Sequence, residues 1–333
     1  MARIRVALLG TGGIARKHVP SFTGCDDAEI VAGCDVSKPV VEAFWQRALG
    51  DAVAHPPSFD DAEEMYAKAQ PNAVVICTPH TLHFEQGMRA LKAGCHVLME
   101  KPMVTSAEHA YQIADQVAAT GRVFCIAYNT PCSPEFAYLR ELIRHQTLGR
   151  LEMVNGYLSQ GWLKGTAGSW RQDPALSGGG QAYDSGAHPL CSLTWSVESE
   201  VDEVFAYVDN CGAPVDINSV FNVKFTNGVM ASMAISGNCP SNGSHMVFIF
   251  DGGRVEVDPW GASWINVFQG RERVKYPPIT GKPTSPADNF LDAILGRDKP
   301  RTSPANGIVH SQLMDAIYES ARTGRPAKAT RRT

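Results

Sequence analysis

The chain has 333 residues, 44% of them hydrophobic and 19% charged, a length for about two domains and a composition typical of globular proteins with large cores. Its formal net charge of -4 gives no electrostatic reason to bind nucleic acid or a membrane surface. Nine scattered cysteines without a CxxC pair exclude a disulfide framework and a structural zinc site and imply a reduced, cytoplasmic protein; no signal peptide or membrane span is expected.

Residues 4–9 form a short apolar run that closes in Gly10-Thr11-Gly12-Gly13-Ile14-Ala15, a GxGxxA opening a helical stretch. This is the dinucleotide-binding fingerprint. The first glycine permits a tight turn, and the second lets backbone approach a pyrophosphate. Ala15 lets the helix lie close to the sheet, and the helix N-terminus faces the phosphates. The next strand, 29–34, ends in Asp35. That acid lies about 20 residues past the motif, where a carboxylate bonds the adenosine ribose hydroxyls. A carboxylate also repels a ribose 2′-phosphate. No Arg stands beside it and only Lys38 could offset the charge, so NAD is favoured over NADP.

Helices are expected at 39–49 and 60–69, then a strand at 72–77 closed by Thr78-Pro79-His80, and a helix at 84–93. The strand 96–99 stops abruptly at Glu100-Lys101-Pro102. In a parallel sheet the carboxyl ends of strands line the ligand crevice, so Lys101 there can reach a substrate oxygen. The plainer alternative is an ordinary strand end in solvent. A helix at 107–120 and a strand at 123–128 follow. Strands separated by helices of this length imply a parallel sheet covered on both faces. His80 and His83 have a chelating spacing, but no third ligand is near and no metal is expected. His83 instead caps or packs at its helix start, close to the cofactor.

After Asn129 the pattern changes. A helix at 136–145 leads to a strand at 151–159, and later strands at 204–208, 220–225, 229–236, 246–250, 254–257 and 264–268 lack intervening helices. Asn227-Gly228 and Gly252-Gly253 read as hairpin turns. Two domains result: an α/β Rossmann domain with a doubly wound parallel sheet (1–126) and an α+β domain with a large, mostly antiparallel open sheet (127–333). Met230, Ser232, Ala234 and Ser236 share a small, half-polar face suited to packing on another sheet, which points to a homodimer or homotetramer.

Between the first two strands of the second domain lie Trp170-Arg171 and then Gly178-Gly179-Gly180-Gln181-Ala182-Tyr183-Asp184-Ser185-Gly186-Ala187-His188. The glycines read as a flexible entry to a helix. Asp184 and His188, at i and i+4, would share one helical face. His suits proton removal from an alcohol near neutral pH, and a nearby carboxylate can orient its ring. The alternative is an acid in a helix's first turn and a packed His. Pro189 places the helix start later or kinks it.

These pieces together resemble the glucose-fructose oxidoreductase and inositol dehydrogenase family (Gfo/Idh/MocA) over essentially the whole chain. The likeness rests on the glycine fingerprint, Thr78-Pro79 with His83, Ala93-Gly94 through Glu100-Lys101-Pro102, Tyr128-Asn129, Trp170-Arg171, Gly178-Gly179-Gly180, and Asp184 to His188. It extends to two C-terminal helical stretches, around Phe290 and around Ile317. The resemblance implies a nicotinamide-dependent dehydrogenase acting on a secondary alcohol of a sugar, polyol or glycoside. His188 would be the acid/base, Asp184 its partner, and Lys101 the group that positions and acidifies the hydroxyl. The cofactor would meet Gly10, Thr11, Gly12, Gly13, Ile14, Asp35, Thr78, Pro79, His83, Glu100, Lys101, Asn129, Trp170 and Arg171. The substrate would meet Lys101, Asn129, Asp184 and His188, with Trp162, Trp170 and Tyr183 able to stack on a sugar ring or to serve as core. Two departures affect substrate contacts: Thr130-Pro131-Cys132 replaces an Arg-containing stretch, and Cys191 stands where an Asp is frequent. Other members imply two alternatives, a glycosidase that recycles NAD through oxidation and elimination, and a non-catalytic dinucleotide-binding regulator.

Overall fold

The computed structural model describes residues 3–332, which form two compact units. The first comprises the residues up to Met103, with Tyr111–Ala127 and Ser285–Pro304. The second comprises Val104–Ala110, Tyr128–Thr284 and the residues from Ala305 on.

In chain order the elements begin β1 (Ile4–Leu9), α1 (Ala15–Thr23), β2 (Ala28–Cys34), α2 (Lys38–Leu49), β3 (Ser58–Phe59), α3 (Ala62–Ala69), β4 (Ala73–Ile76), α4 (His83–Lys92), β5 (His96–Met99), α5 (Ala107–Thr120) and β6 (Phe124–Ile126). The six strands pair in parallel in the order β3-β2-β1-β4-β5-β6. The order reverses between β1 and β4, which places the switch-point crevice at the carboxyl ends of those two strands. Alternate residues Ile4, Val6 and Leu8 of β1 meet Ala15, Val19 and Phe22 of α1 and Val41, Phe44 and Trp45 of α2 in one core. The helical residues recur at three- and four-residue steps, as an amphipathic helix requires.

The chain continues α6 (Pro134–Arg144), β7 (Leu151–Ser159), α7 (Trp162–Gly165), α8 (Pro174–Ser177), α9 (Ala187–Val197), β8 (Val201–Asp209), β9 (Asn218–Phe225), β10 (Met230–Ser236), β11 (Gly243–Phe250), β12 (Gly253–Val257), β13 (Ile265–Gln269), β14 (Glu272–Arg273), α10 (Pro286–Ile294), α11 (Pro304–Thr323) and β15 (Ala327–Lys328). The second sheet has nine strands in the order β14-β13-β12-β11-β7-β10-β9-β8-β15. All its pairings are antiparallel except β7 with β10. The α/β and α+β division expected from the sequence is present.

Helix α10 belongs to the first unit. A reciprocal cap between Ser285 and Asp288, with Pro286 at the first turn, starts it sharply. Ala287, Phe290 and Leu291 then join the core built on β1, and Thr302 Oγ1 donates to the Ile126 carbonyl at 2.6 Å. Residues 285–304 therefore return to the parallel-sheet unit, which a single division at 126/127 does not include.

In the second unit one face of the sheet is buried through Phe221, Val223, Phe225, Met233, Ile235 and Phe248. Helix α9 is buried on every side, with ten of its eleven residues buried, as expected of a helix enclosed by its neighbours. The opposite sheet face carries a row across five strands, in which Tyr207 pairs with Val220, Val220 with Ala234, Ala234 with Tyr157, and Tyr157 with His245.

Candidate active site

Gly10 follows β1 at φ +86°, and a Cβ there would lie 2.7 Å from the Cys77 backbone at the end of β4. Only glycine lets the two strand ends approach this closely. Gly12 and Gly13 differ, because a Cβ on either would meet nothing within 4 Å. The space above them is open, and the N-terminus of α1 carries no side-chain cap. Uncapped backbone N–H groups beside open space form an anion cradle. The Asp35 carboxylate accepts from Thr11 N (2.6 Å), Thr11 Oγ1 (2.9 Å) and Val36 N (2.7 Å). It therefore ties the glycine turn to the end of β2. These residues fit a dinucleotide, with the phosphates on the turn and α1 and a ribose beside Asp35.

The loops after β4 and β5 are joined by His83, which is fully buried. Its Nδ1 lies 2.8 Å from the Pro102 carbonyl and its Nε2 2.9 Å from the Thr78 carbonyl. Burial pushes the ring's pKa down, although both carbonyls favour an N–H. Thr78 Oγ1 donates to Gln86 Oε1 at 2.5 Å, and Pro79 is half-buried. Among the described residues no group of three His, Cys, Asp or Glu is placed to hold a metal.

Glu100 is buried against His18 of α1, with Nε2 to Oε1 at 2.8 Å, and its other oxygen accepts the Lys101 N–H at 3.1 Å. Burial pushes this carboxyl up, but the His18 hydrogen bond, His18 charge and Lys101 outweigh it and leave the pKa lowered. The pair fixes the backbone from which half-buried Lys101 projects. His18 escaped the sequence reading because it lies 82 residues from its partner.

In the second unit the glycine segment is organised by Asp216, which is buried. Its carboxylate accepts from Gly180 N (2.6 Å), Ala182 N (2.9 Å) and Tyr318 Oη (2.6 Å). A Cβ on Gly180 would lie 1.9 Å from the Asp216 carbonyl oxygen, and one on Gly186 2.4 Å from that of Ala182. These two glycines serve close packing. That corrects the flexible entry expected from composition. Asp216 has no local sequence signal, and nothing local to Tyr318 marks it as the partner of Asp216.

Asp184 lies in the turn before α9, so it and His188 do not share a continuous helix. Pro189 fits because first-turn N–H groups need no intrahelical partner. Asp184 Oδ2 accepts from Trp162 Nε1 at 2.9 Å and Arg171 Nε at 3.0 Å. The carboxylate side chain is only 7% exposed, against 37% for the arginine. Arg171 also covers the Trp170 ring, at 4.6 Å. Trp162 thus anchors Asp184 from within the core. Tyr183 is buried, stacked on Tyr318 at 6.0 Å, with its hydroxyl donating to the Val104 carbonyl at 3.2 Å.

His188 is the one residue of α9 that is not fully buried. Its ring meets Trp260 edge to face at 4.5 Å and Tyr128 at 6.3 Å, and Asn129 beside Tyr128 is exposed. Trp260 gives no sequence signal of this role. The first unit also has a cleft of about 620 Å³, lined by Tyr66, Phe84, Met88 and charged neighbours on its helices. None of the expected site residues lines it.

Residues 4–128 match the profile of an oxidoreductase family described by its NAD-binding Rossmann fold, and residues 136–256 match that family's C-terminal domain. The chain is 30% identical over 193 residues to the D-glucoside 3-dehydrogenase of Escherichia coli, covering 56% of this chain and 52% of that one. The alignment thus spans about half of that relative's length. The D-xylose 1-dehydrogenase (NADP(+)) 2 of Haloferax volcanii is 26% identical over 329 residues, 95% of this chain and 97% of that one. In fold, the chain superposes on the WlbA dehydrogenase from Bordetella pertussis, solved with NADH and UDP-GlcNAcA, with TM-score 0.86, 24% identity, and coverage of 100% and 99%. It likewise matches the aldose-aldose oxidoreductase from Caulobacter crescentus with TM-score 0.83, 24% identity, and coverage of 98% and 99%. With both halves matched by domains of one family in the order that family has them, the chain belongs to the Gfo/Idh/MocA oxidoreductases.

Proposed function

We propose that this protein is an NAD(P)-dependent dehydrogenase that moves a hydride between a secondary alcohol of a sugar, polyol or glycoside and the nicotinamide. Residues 1–126 would carry the dinucleotide and 127–333 the substrate, and nine cysteines in no disulfide among the described residues suit a reducing compartment. The observation that carries the reading is His188, half-buried on an otherwise buried helix, next to a turn whose carboxylate is locked by Arg171 and Trp162. The sugar and glycoside dehydrogenases among its relatives support the substrate class.

The bound nicotinamide supplies the hydride acceptor. His188 takes the hydroxyl proton as the carbinol C–H bond breaks and the C=O bond forms, and Asp184 stabilises the resulting positive charge. Lys101, held at its backbone by Glu100, stabilises negative charge developing on the substrate oxygen. The experiment is a panel of sugars, inositols and glycosides with NAD and NADP, read by absorbance of the reduced cofactor. Glycoside cleavage without accumulating reduced cofactor would favour the recycling glycosidase, and no turnover of any member would sink the reading.

Asp35 favours NAD over NADP in this reading. A hydrogen bond to a charged group contributes about 1.5–3 kcal/mol, on the order of ten- to a hundredfold in affinity. Asp35→Ser is expected to weaken NAD by about that factor and to narrow or reverse its advantage over NADP, as measured by cofactor titration. An unchanged ratio would remove Asp35 from the ribose site.

The exposed sheet face supports self-association. Tyr207 is 68% exposed, Met230 53%, Val220 50%, Tyr157 45% and Met153 42%, an apolar concentration that monomers seldom leave in water. We expect a dimer or tetramer in analytical ultracentrifugation. A monomer at micromolar concentration contradicts it.

A further inference from the structure

Beside His188 the second unit has a cavity of about 290 Å³ whose lining includes Trp260, Trp264, Gln160, Asn242 and Ser159. Trp260 is the shared wall, since the same indole meets the His188 ring at 4.5 Å. That wall is pinned. The Asp258 carboxylate accepts from the backbone N–H groups of Trp260 (3.0 Å), Gly261 (3.2 Å) and Ser263 (3.2 Å) and from the hydroxyls of Ser263 (2.7 Å) and Ser244 (2.6 Å). Trp264, tilted on His245 at 5.3 Å, is left 37% exposed. Gln160 Oε1 accepts from Gln181 Nε2 at 3.4 Å, so the Gln160 amide group remains as a donor. Gln181 itself is fully buried, and its Oε1 has no hydrogen-bond partner among the described residues.

We propose that this cavity is a subsite for the sugar ring next to the one oxidised at His188, so that the substrate is a glycoside or disaccharide of hexoses and not a free monosaccharide. The inference rests on the dehydrogenase reading for its reacting ring. Indole faces take the apolar C–H face of a pyranose, and amides and hydroxyls take its equatorial oxygens. The volume lies just below the usual range for small-molecule sites, about 300–1,000 Å³, which gives room for one ring and not for an extended chain.

The test is calorimetric titration of the full chain with methyl hexosides and with the hexose disaccharides containing the same ring. At least one disaccharide should bind about tenfold tighter than its methyl hexoside, and Trp264→Ala should bring that ratio close to one. Gln160→Ala, in the same wall, should reduce it as well and serves if the tryptophan variant does not fold. Equal affinity for one and two rings in the wild type overturns the subsite, as does a Trp264→Ala variant that weakens both ligands alike. Turnover of methyl hexosides without a two-ring preference removes the subsite and keeps the dehydrogenase. A two-ring preference that Trp264→Ala erases, with no reduced cofactor formed, keeps the subsite and removes the dehydrogenase.

Discussion

Replacing His188 with alanine is expected to lower turnover roughly a hundredfold or more, because a positioned acid/base contributes about 10²–10⁴. Alcohol oxidation needs a base at the moment the hydride departs. His188, the half-buried residue of α9, is the group proposed for that role. Lys101→Ala should lower turnover by a similar factor, through lost stabilisation of charge on the substrate oxygen. Cofactor affinity should change far less in both variants, which separates chemistry from binding. Near-normal turnover in His188→Ala with an inactive Lys101→Ala would make Lys101 the base and reverse the two roles.

Asp216→Ala is expected to produce the largest loss of stability. Its buried carboxylate holds two backbone N–H groups and the Tyr318 hydroxyl at 2.6–2.9 Å. Each hydrogen bond to a charged group contributes about 1.5–3 kcal/mol, but bonds sharing one acceptor are not additive. Breaking such a buried network costs about 3–5 kcal/mol, which in a unit of this size lowers the melting midpoint by roughly 10 °C. Tyr318→Phe removes one of the three and should cost about 1–2 kcal/mol. Activity should fall beyond what unfolding explains, because Gly180 and Ala182 lead directly into Asp184. A variant melting within a degree or two of wild type would show that close packing of the glycines, without the carboxylate, holds the turn.

The parallel sheet was legible because its signals are local. Apolar strands alternate with helices, and Gly10 to Ala15 compress a turn, a phosphate cradle and a helix start into six consecutive residues. Lys101 and His188 stood out by residue type and neighbours, and their roles belong to the proposal. Trp162 and Tyr183 were legible only as aromatics. Whether such a ring meets a ligand or the core depends on what folds over it, and here the first bonds Asp184 while the second stacks on Tyr318.

The sequence by itself determined the order of the main strands and helices, the glycine turn and the chemical types proposed for the site, all encoded within a few neighbouring residues, whereas the short β3, α7, α8, β14 and β15 gave no such signal. Only the tertiary structure decided what holds those groups in place. His18 reaches Glu100 across 82 residues, Asp216 reaches Gly180 across 36, and Trp260 closes on His188 from the loop between β12 and β13. Such partners carry no periodicity and no spacing rule, because loop closure lets distant segments meet wherever packing permits. Helix α10 shows the same limit, since its amphipathic pattern specifies that one face is buried but not which sheet buries it.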